Sequence, residues 1–168
     1  MTKGLVHLMH GKGSDPTGAK IVALSAVARA HGWDVAALDY SHTLDPAVRL
    51  DQLLDACAGV PGPLVLVGSS MGGWVAAEAA ARLSAHAVFL LAPAVYRAGY
   101  PTQEPDVPAT RTEIVHGWDD DVIPVDHSIR FARHHRCTLH LVRDGHDLNA
   151  DIPQLGELFA RFLERLEA

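Results

Sequence analysis

Gly68, Ser70 and Gly72 stand in the spacing G-x-S-x-G, within Gly68-Ser69-Ser70-Met71-Gly72-Gly73. The apolar run Leu64 to Val67 precedes them, and an alanine-rich segment of helical period follows. A serine on a sharp strand-to-helix turn is held in a strained conformation with its hydroxyl exposed, and flanking glycines let the two elements approach without Cβ clashes. The chemistry open to it is attack on an acyl carbonyl. A hydroxyl is a poor nucleophile near neutral pH, so Ser70 needs a base within hydrogen-bond reach and a carboxylate to orient that base. Without both, it is a tight turn or a helix N-cap.

The elements that must position these groups are legible in the periodicity. Six short apolar runs, at Gly4 to Met9, Trp33 to Leu38, Leu64 to Val67, Ala87 to Leu91, Thr112 to Val115 and Thr138 to Val142, read as strands covered on both faces. Helical segments lie between and after them, at about Thr17 to Ala30, Pro46 to Cys57, Met71 to Leu83, Val125 to Arg133 and Ile152 to Leu166. This alternation implies right-handed crossovers. The expected fold is α/β: a three-layer α/β/α sandwich with a doubly wound, mainly parallel sheet of about six strands. Active groups of such a sheet collect beyond the carboxyl ends of its strands. Two later segments meet that criterion, His116-Gly117-Trp118-Asp119-Asp120-Asp121-Val122-Ile123-Pro124 and Arg143-Asp144-Gly145-His146-Asp147-Leu148.

With 168 residues, 48% hydrophobic and 20% charged, the chain is expected to form one domain over 1–168 with its own core. A formal charge of −6 and the lack of a basic patch exclude nucleic acid and anionic membranes as expected partners. Glycines and prolines break the longest uncharged stretch, and the amino terminus has no basic-then-apolar signal pattern. A cytoplasmic protein with Cys57 and Cys137 as reduced thiols is the expectation. The proline-rich connection Pro93 to Thr110 reads equally as a surface excursion or as a short flap lining a pocket.

These motifs closely resemble the α/β-hydrolase superfamily over nearly the whole chain. That family's pattern is a nucleophile elbow, then an acid in H-G-x-x-D-x-x-[VI]-P, then a G-H near the end. Here it is met by Gly68 to Gly72, by His116-Gly117 with Asp120 and Ile123-Pro124, and by Gly145-His146, in the family's order. The loop His10-Gly11-Lys12-Gly13 stands where the family has its oxyanion-hole loop. The resemblance implies Ser70 as nucleophile, His146 as base, Asp120 as orienting acid, and the backbone N–H groups of Lys12 and Met71 as oxyanion donors. Spacing from Gly117 and to Pro124 favours Asp120, with Asp121 next and Asp119 last. His10 and His116 read as turn-positioning groups, Trp74 and Trp118 as packing residues, and His134-His135 as solvated. No metal and no cofactor is implied.

Fuller members of the superfamily begin with two further strands and carry a cap. This chain has room for one strand before His10, and the cap position, Pro93 to Thr110, is too short for a helical lid. The expected protein is a minimal, uncapped serine esterase of the carboxylesterase kind, acting on small soluble esters or thioesters through an acyl-enzyme. An acyltransferase or peptidase on the same triad, and a non-catalytic binding protein on the same scaffold, are the alternatives.

Overall fold

A computed structural model describes residues 1–167. Its strands are β1 (Leu5–Met9), β2 (Asp34–Ala36), β3 (Leu64–Ser69), β4 (Ala87–Leu91), β5 (Thr112–Gly117) and β6 (Thr138–Val142). Its helices are α1 (Ala19–Ala30), α2 (Pro46–Cys57), α3 (Met71–Arg82), α4 (Val125–His135) and α5 (Ile152–Arg165), with one 3₁₀ turn at Ala109–Arg111. The strands form one sheet in the order β2-β1-β3-β4-β5-β6, and every pairing is parallel, so the expected "mainly parallel" sheet is parallel throughout. Reversal of strand order between β1 and β3 places the switch point, and hence the natural crevice, beside the end of β3.

Strand parity divides the core. Leu64, Leu66, Val88 and Leu90 face one side with Leu53 of α2, Trp74 of α3 and Phe131 of α4. Val65, Val67, Phe89 and Leu91 face the other with Leu24 of α1 and Phe159 and Phe162 of α5. Phe89 sits 5.0 and 5.1 Å, ring centre to ring centre, from Phe159 and Phe162. Burying each such ring contributes roughly 1.5–3 kcal/mol. Two helices on one face and three on the other make the three layers, and among the described residues no cap covers the carboxyl edge.

Strands β1 and β2 each start one residue later than expected, at Leu5 and Asp34, and three strand ends lie two residues from the expectation. The edge strand β2 ends at Ala36 because the chain turns away, giving the Tyr40 N–H to Nε2 of His10 at 2.9 Å. Strands β3 and β5 run two residues longer, through Ser69 and Gly117, because Gly68 and Ser69 still pair with β4 and Gly117 with β6. Each motif therefore begins inside a strand. Among the described residues no helix is long and apolar enough to cross a membrane.

Candidate active site

Strand β3 ends at Ser69 and α3 begins at Met71, so Ser70 alone makes the turn, at φ 54° and ψ −115°. Such a conformation in a non-glycine residue costs on the order of 1–3 kcal/mol and persists only when its surroundings enforce it. They do so here. The Ser70 N–H donates to the Leu91 carbonyl at 2.9 Å, and the Ser70 carbonyl accepts from the N–H groups of Trp74 (3.1 Å) and Ala94 (3.0 Å). A Cβ on Gly68 would lie 2.1 Å from the Gly72 carbonyl oxygen, and one on Gly72 would lie 2.4 Å from that of Met9. Both glycines are demanded by close backbone approach.

His146 follows β6 on a loop that Asp144 shapes by accepting from the N–H groups of Gly145 (2.7 Å) and Ala150 (2.9 Å). The end of β5 presses against this loop. A Cβ on Gly117 would sit 2.2 Å from the Asp144 carbonyl oxygen, and the Asp119 N–H donates to the same carbonyl at 3.0 Å. Nε2 of His146 lies 3.0 Å from Ser70 Oγ, and Nδ1 lies 2.8 Å from Asp120 Oδ2. An ionised carboxylate only accepts, so Nδ1 carries the proton and Nε2 is left to accept from the serine hydroxyl.

The Asp120 side chain is fully buried. Its Oδ1 accepts from the N–H groups of Val122 (2.9 Å) and Ile123 (2.8 Å). Burial alone would raise its pKa, but the hydrogen bonds from His146, Ile123 and Val122 outweigh burial and hold the carboxyl below its ordinary value. Asp119 and Asp121 are exposed and stand outside this arrangement. His116, wholly buried, is more than a turn-positioning group: its Nε2 lies 3.0 Å from Asp120 Oδ2 and 3.0 Å from the Ile123 carbonyl. Both are acceptors, so Nε2 donates, while Nδ1 accepts from the buried Ser128 hydroxyl at 2.7 Å. Burial pushes the His116 pKa down, keeping the ring neutral.

The loop after β1 is held from behind. Arg49 of α2 is 1% exposed, and its Nη1 donates to the carbonyls of His10 (3.2 Å) and Gly11 (3.3 Å), while Nε donates to that of Thr43 at 2.9 Å. His10 Nδ1 adds a second donor to the Gly11 carbonyl at 2.9 Å. In a trans peptide the N–H points opposite to the C=O. Fixing the Gly11 carbonyl toward Arg49 therefore turns the Lys12 N–H the other way. The Lys12 and Met71 amides have no acceptor among the described residues, and Gly11 abuts Ser70, its Cβ position falling 3.3 Å from that of the serine. Sequence reasoning passed over Arg49 and Ser128, and nothing in their local sequence marks either.

An open cleft of about 380 Å³ lies over Ser70, bounded by Lys12, Ala94, Tyr100, Ile123 and His146. The connection from Pro93 to Thr110 thus contributes a wall. Trp74 is fully buried, donates to the Thr102 carbonyl at 2.7 Å, and meets Tyr100 edge-on at 5.4 Å. Trp118, expected to pack, is instead 55% exposed, because β5 has ended and the chain turns outward. His134 is exposed, as expected, whereas His135 is half-buried, and the two gather with Glu104 so that their donor atoms lie within 4.8 Å of one another. His134 pairs with Glu104 at 3.1 Å, tying the connection to the end of α4.

Comparisons with known proteins agree with this architecture. Residues 5–103 match the profile of an uncharacterised protein family, UPF0227. A candidate hydrolase of the alpha/beta superfamily from Xanthomonas campestris pv. campestris is 32% identical and superposes with a TM-score of 0.90 over 98% of this chain and 99% of that one. Est1E from Butyrivibrio proteoclasticus is 18% identical, with a TM-score of 0.83 over 99% of this chain and 89% of that one. An a/b serine hydrolase without lid from Xanthomonas campestris is 17% identical, with a TM-score of 0.82 over 98% and 83%. No curated protein matches the sequence.

Proposed function

The chain belongs to the α/β-hydrolase superfamily and to the uncharacterised family UPF0227, and from that premise we propose that it is a serine hydrolase cleaving small carboxylic esters or thioesters through an acyl-enzyme. One observation carries the reading: the unbroken hydrogen-bonded chain from Ser70 Oγ through His146 to buried Asp120, starting on a backbone turn strained to expose the hydroxyl.

In this reading Ser70 Oγ bonds to the acyl carbon while its proton passes to His146 Nε2. Asp120 stabilises the imidazolium without taking the proton. The developing oxyanion sits between the N–H groups of Lys12 and Met71, the latter at the positive end of α3. His146 then hands its proton to the departing alkoxide or thiolate as the bond to the acyl carbon breaks. Water, deprotonated by the same nitrogen, attacks the acyl-enzyme, and as the acyl carbon–Oγ bond breaks His146 returns that proton to Ser70 Oγ, releasing the acid and the free enzyme. The absence of a cap over the cleft supports small substrates that diffuse in from water.

The test is a panel of matched esters, thioesters and amides run against the wild type and Ser70→Ala. The reading expects turnover of esters or thioesters that Ser70→Ala abolishes. Turnover of amides alone, or turnover unaffected by Ser70→Ala, contradicts it.

A further inference from the structure

A second cleft, of about 290 Å³, opens on the other side of His146 from the one over Ser70. Its walls are the loop Lys12–Ser14 and the first turn of α1, Gly18 to Ile21, and its rim carries Asp147 and Asn149. The first turn of α1 is uncapped: Gly18 offers no side chain, and the N–H groups of Ala19, Lys20 and Ile21 have no acceptor among the described residues. Three free amides at a helix start favour an anion. Lys12 and Lys20 flank them.

An independent observation comes from the floor. Ser69 is 7% exposed, and its hydroxyl has no hydrogen-bond partner among the described residues. By parity along β3 it shares the face of Val65 and Val67, the face that α1 covers, which aims it into this cleft. The Ser69 hydroxyl opens on a polar recess that also holds two lysines and three amides, and it is free to donate to a group placed there. Lys20 donates to the Asp147 backbone carbonyl, so its ammonium stays at the rim of the recess, and burial lowers its pKa against the opposing pull of Asp147 and Asp144.

We propose that this recess is a subsite for a phosphate group carried on the leaving alcohol or thiol of the substrate. His146 borders both clefts, and in the hydrolase reading, on which this inference rests, it must reach the leaving group to protonate it. The acyl group occupies the cleft between Ala94, Tyr100 and Ile123, so the leaving group extends past His146 toward α1. There the Ala19–Ile21 amides and the Ser69 hydroxyl donate to phosphate oxygens, and Lys12 and Lys20 supply opposite charge.

The experiment compares kcat/KM for 4-(butyryloxy)butyl phosphate, the neutral 4-methoxybutyl butyrate and the isomer with phosphate on the acyl side, butyl 4-(phosphonooxy)butanoate. The phosphate on the alcohol side is expected to raise kcat/KM about tenfold over the neutral ester, mostly through KM, which is the scale of one or two charge-assisted hydrogen bonds. Lys20→Gln and Ser69→Ala are each expected to shrink that ratio. No preference in the wild type, a preference untouched by Lys20→Gln, or a larger preference for the acyl-side isomer overturns the proposal. Phosphorus NMR titration of inorganic phosphate into Ser70→Ala separates the two readings. Binding that Lys20→Gln weakens supports the subsite even if no ester is cleaved, whereas ester cleavage with no phosphate binding removes the subsite alone.

Discussion

Nε2 of the fully buried His116 lies 3.0 Å from Oδ2 of Asp120, the same oxygen that receives Nδ1 of His146. Asp120 thus takes hydrogen bonds from His146 and two backbone amides, with His116 Nε2 packed against the same oxygen that His146 reaches. Removing His116 takes a polar N–H away from Oδ2, which loosens the seat of the carboxylate against His146 and leaves its charge less neutralised. His116→Ala is expected to lower kcat about 10- to 100-fold with little change in KM, and to move the acidic limb of the kcat/KM profile to higher pH. His116→Gln, which keeps a donor, should recover part of the rate. Equal kcat in both variants and the wild type, at matched stability, contradicts a positioning role.

Arg49 makes the corresponding prediction for the other side of the site. Arg49→Met releases the His10 and Gly11 carbonyls, letting the Gly11–Lys12 peptide rotate. Loss of one oxyanion donor costs about 10²–10³ in kcat, and this variant should approach the lower end, since His10 still holds the Gly11 carbonyl. A kcat lowered about 10²-fold with an unchanged circular dichroism spectrum is the expected outcome. A variant that loses stability but keeps kcat per folded molecule shows the arginine to be structural only.

Gly117→Ala tests the link between β5 and the His146 loop. The new Cβ would meet the Asp144 carbonyl at 2.2 Å, a backbone contact that cannot be relieved by a rotamer. The loop must shift, separating His146 from Asp120. A loss of more than about 3 kcal/mol in denaturant unfolding, or a folded protein with greatly reduced activity, is expected. An unchanged midpoint and unchanged rate would show that the two segments do not press together.

His7 gives the pH dependence of stability. It is 1% exposed, its Nε2 is 2.9 Å from the Tyr40 hydroxyl, and burial lowers its pKa from 6.5 to about 4. The unfolded chain therefore binds more protons between those values. Stability is full above pH 6.5 and is lost as the pH falls toward 4, by roughly 3 kcal/mol from this residue. His7→Gln should flatten the slope of unfolding free energy against pH across that window. An equally steep slope in the variant assigns the acid sensitivity elsewhere.

The three groups of the proposed triad were legible because each sits in a glycine-marked turn just past an apolar run, where the carboxyl edge of a parallel sheet must lie. Periodicity gave six strands and five helices because both faces of the sheet are covered. Strand ends were less legible: β3 and β5 continue into their motifs because pairing depends on neighbours distant in sequence, and β2 stops early because His10 captures the Tyr40 N–H. Arg49 was invisible for a related reason. On α2 it reads as a solvated charge, and only packing over the His10 loop buries it. Trp118 erred in the opposite sense, since an aromatic flanking a motif reads as core although the turn there faces water. His116 stands four residues before Asp120, a spacing visible in the sequence whose meaning needed the loop's shape.

Activation of Ser70 as a nucleophile is measurable by intact-protein mass spectrometry after brief exposure to a fluorophosphonate. One adduct per chain is expected, mapped to Ser70, with labelling slowed at least about 10²-fold in a folded His146→Ala variant. A folded wild-type protein that stays unlabelled, or that is labelled at another residue, contradicts it.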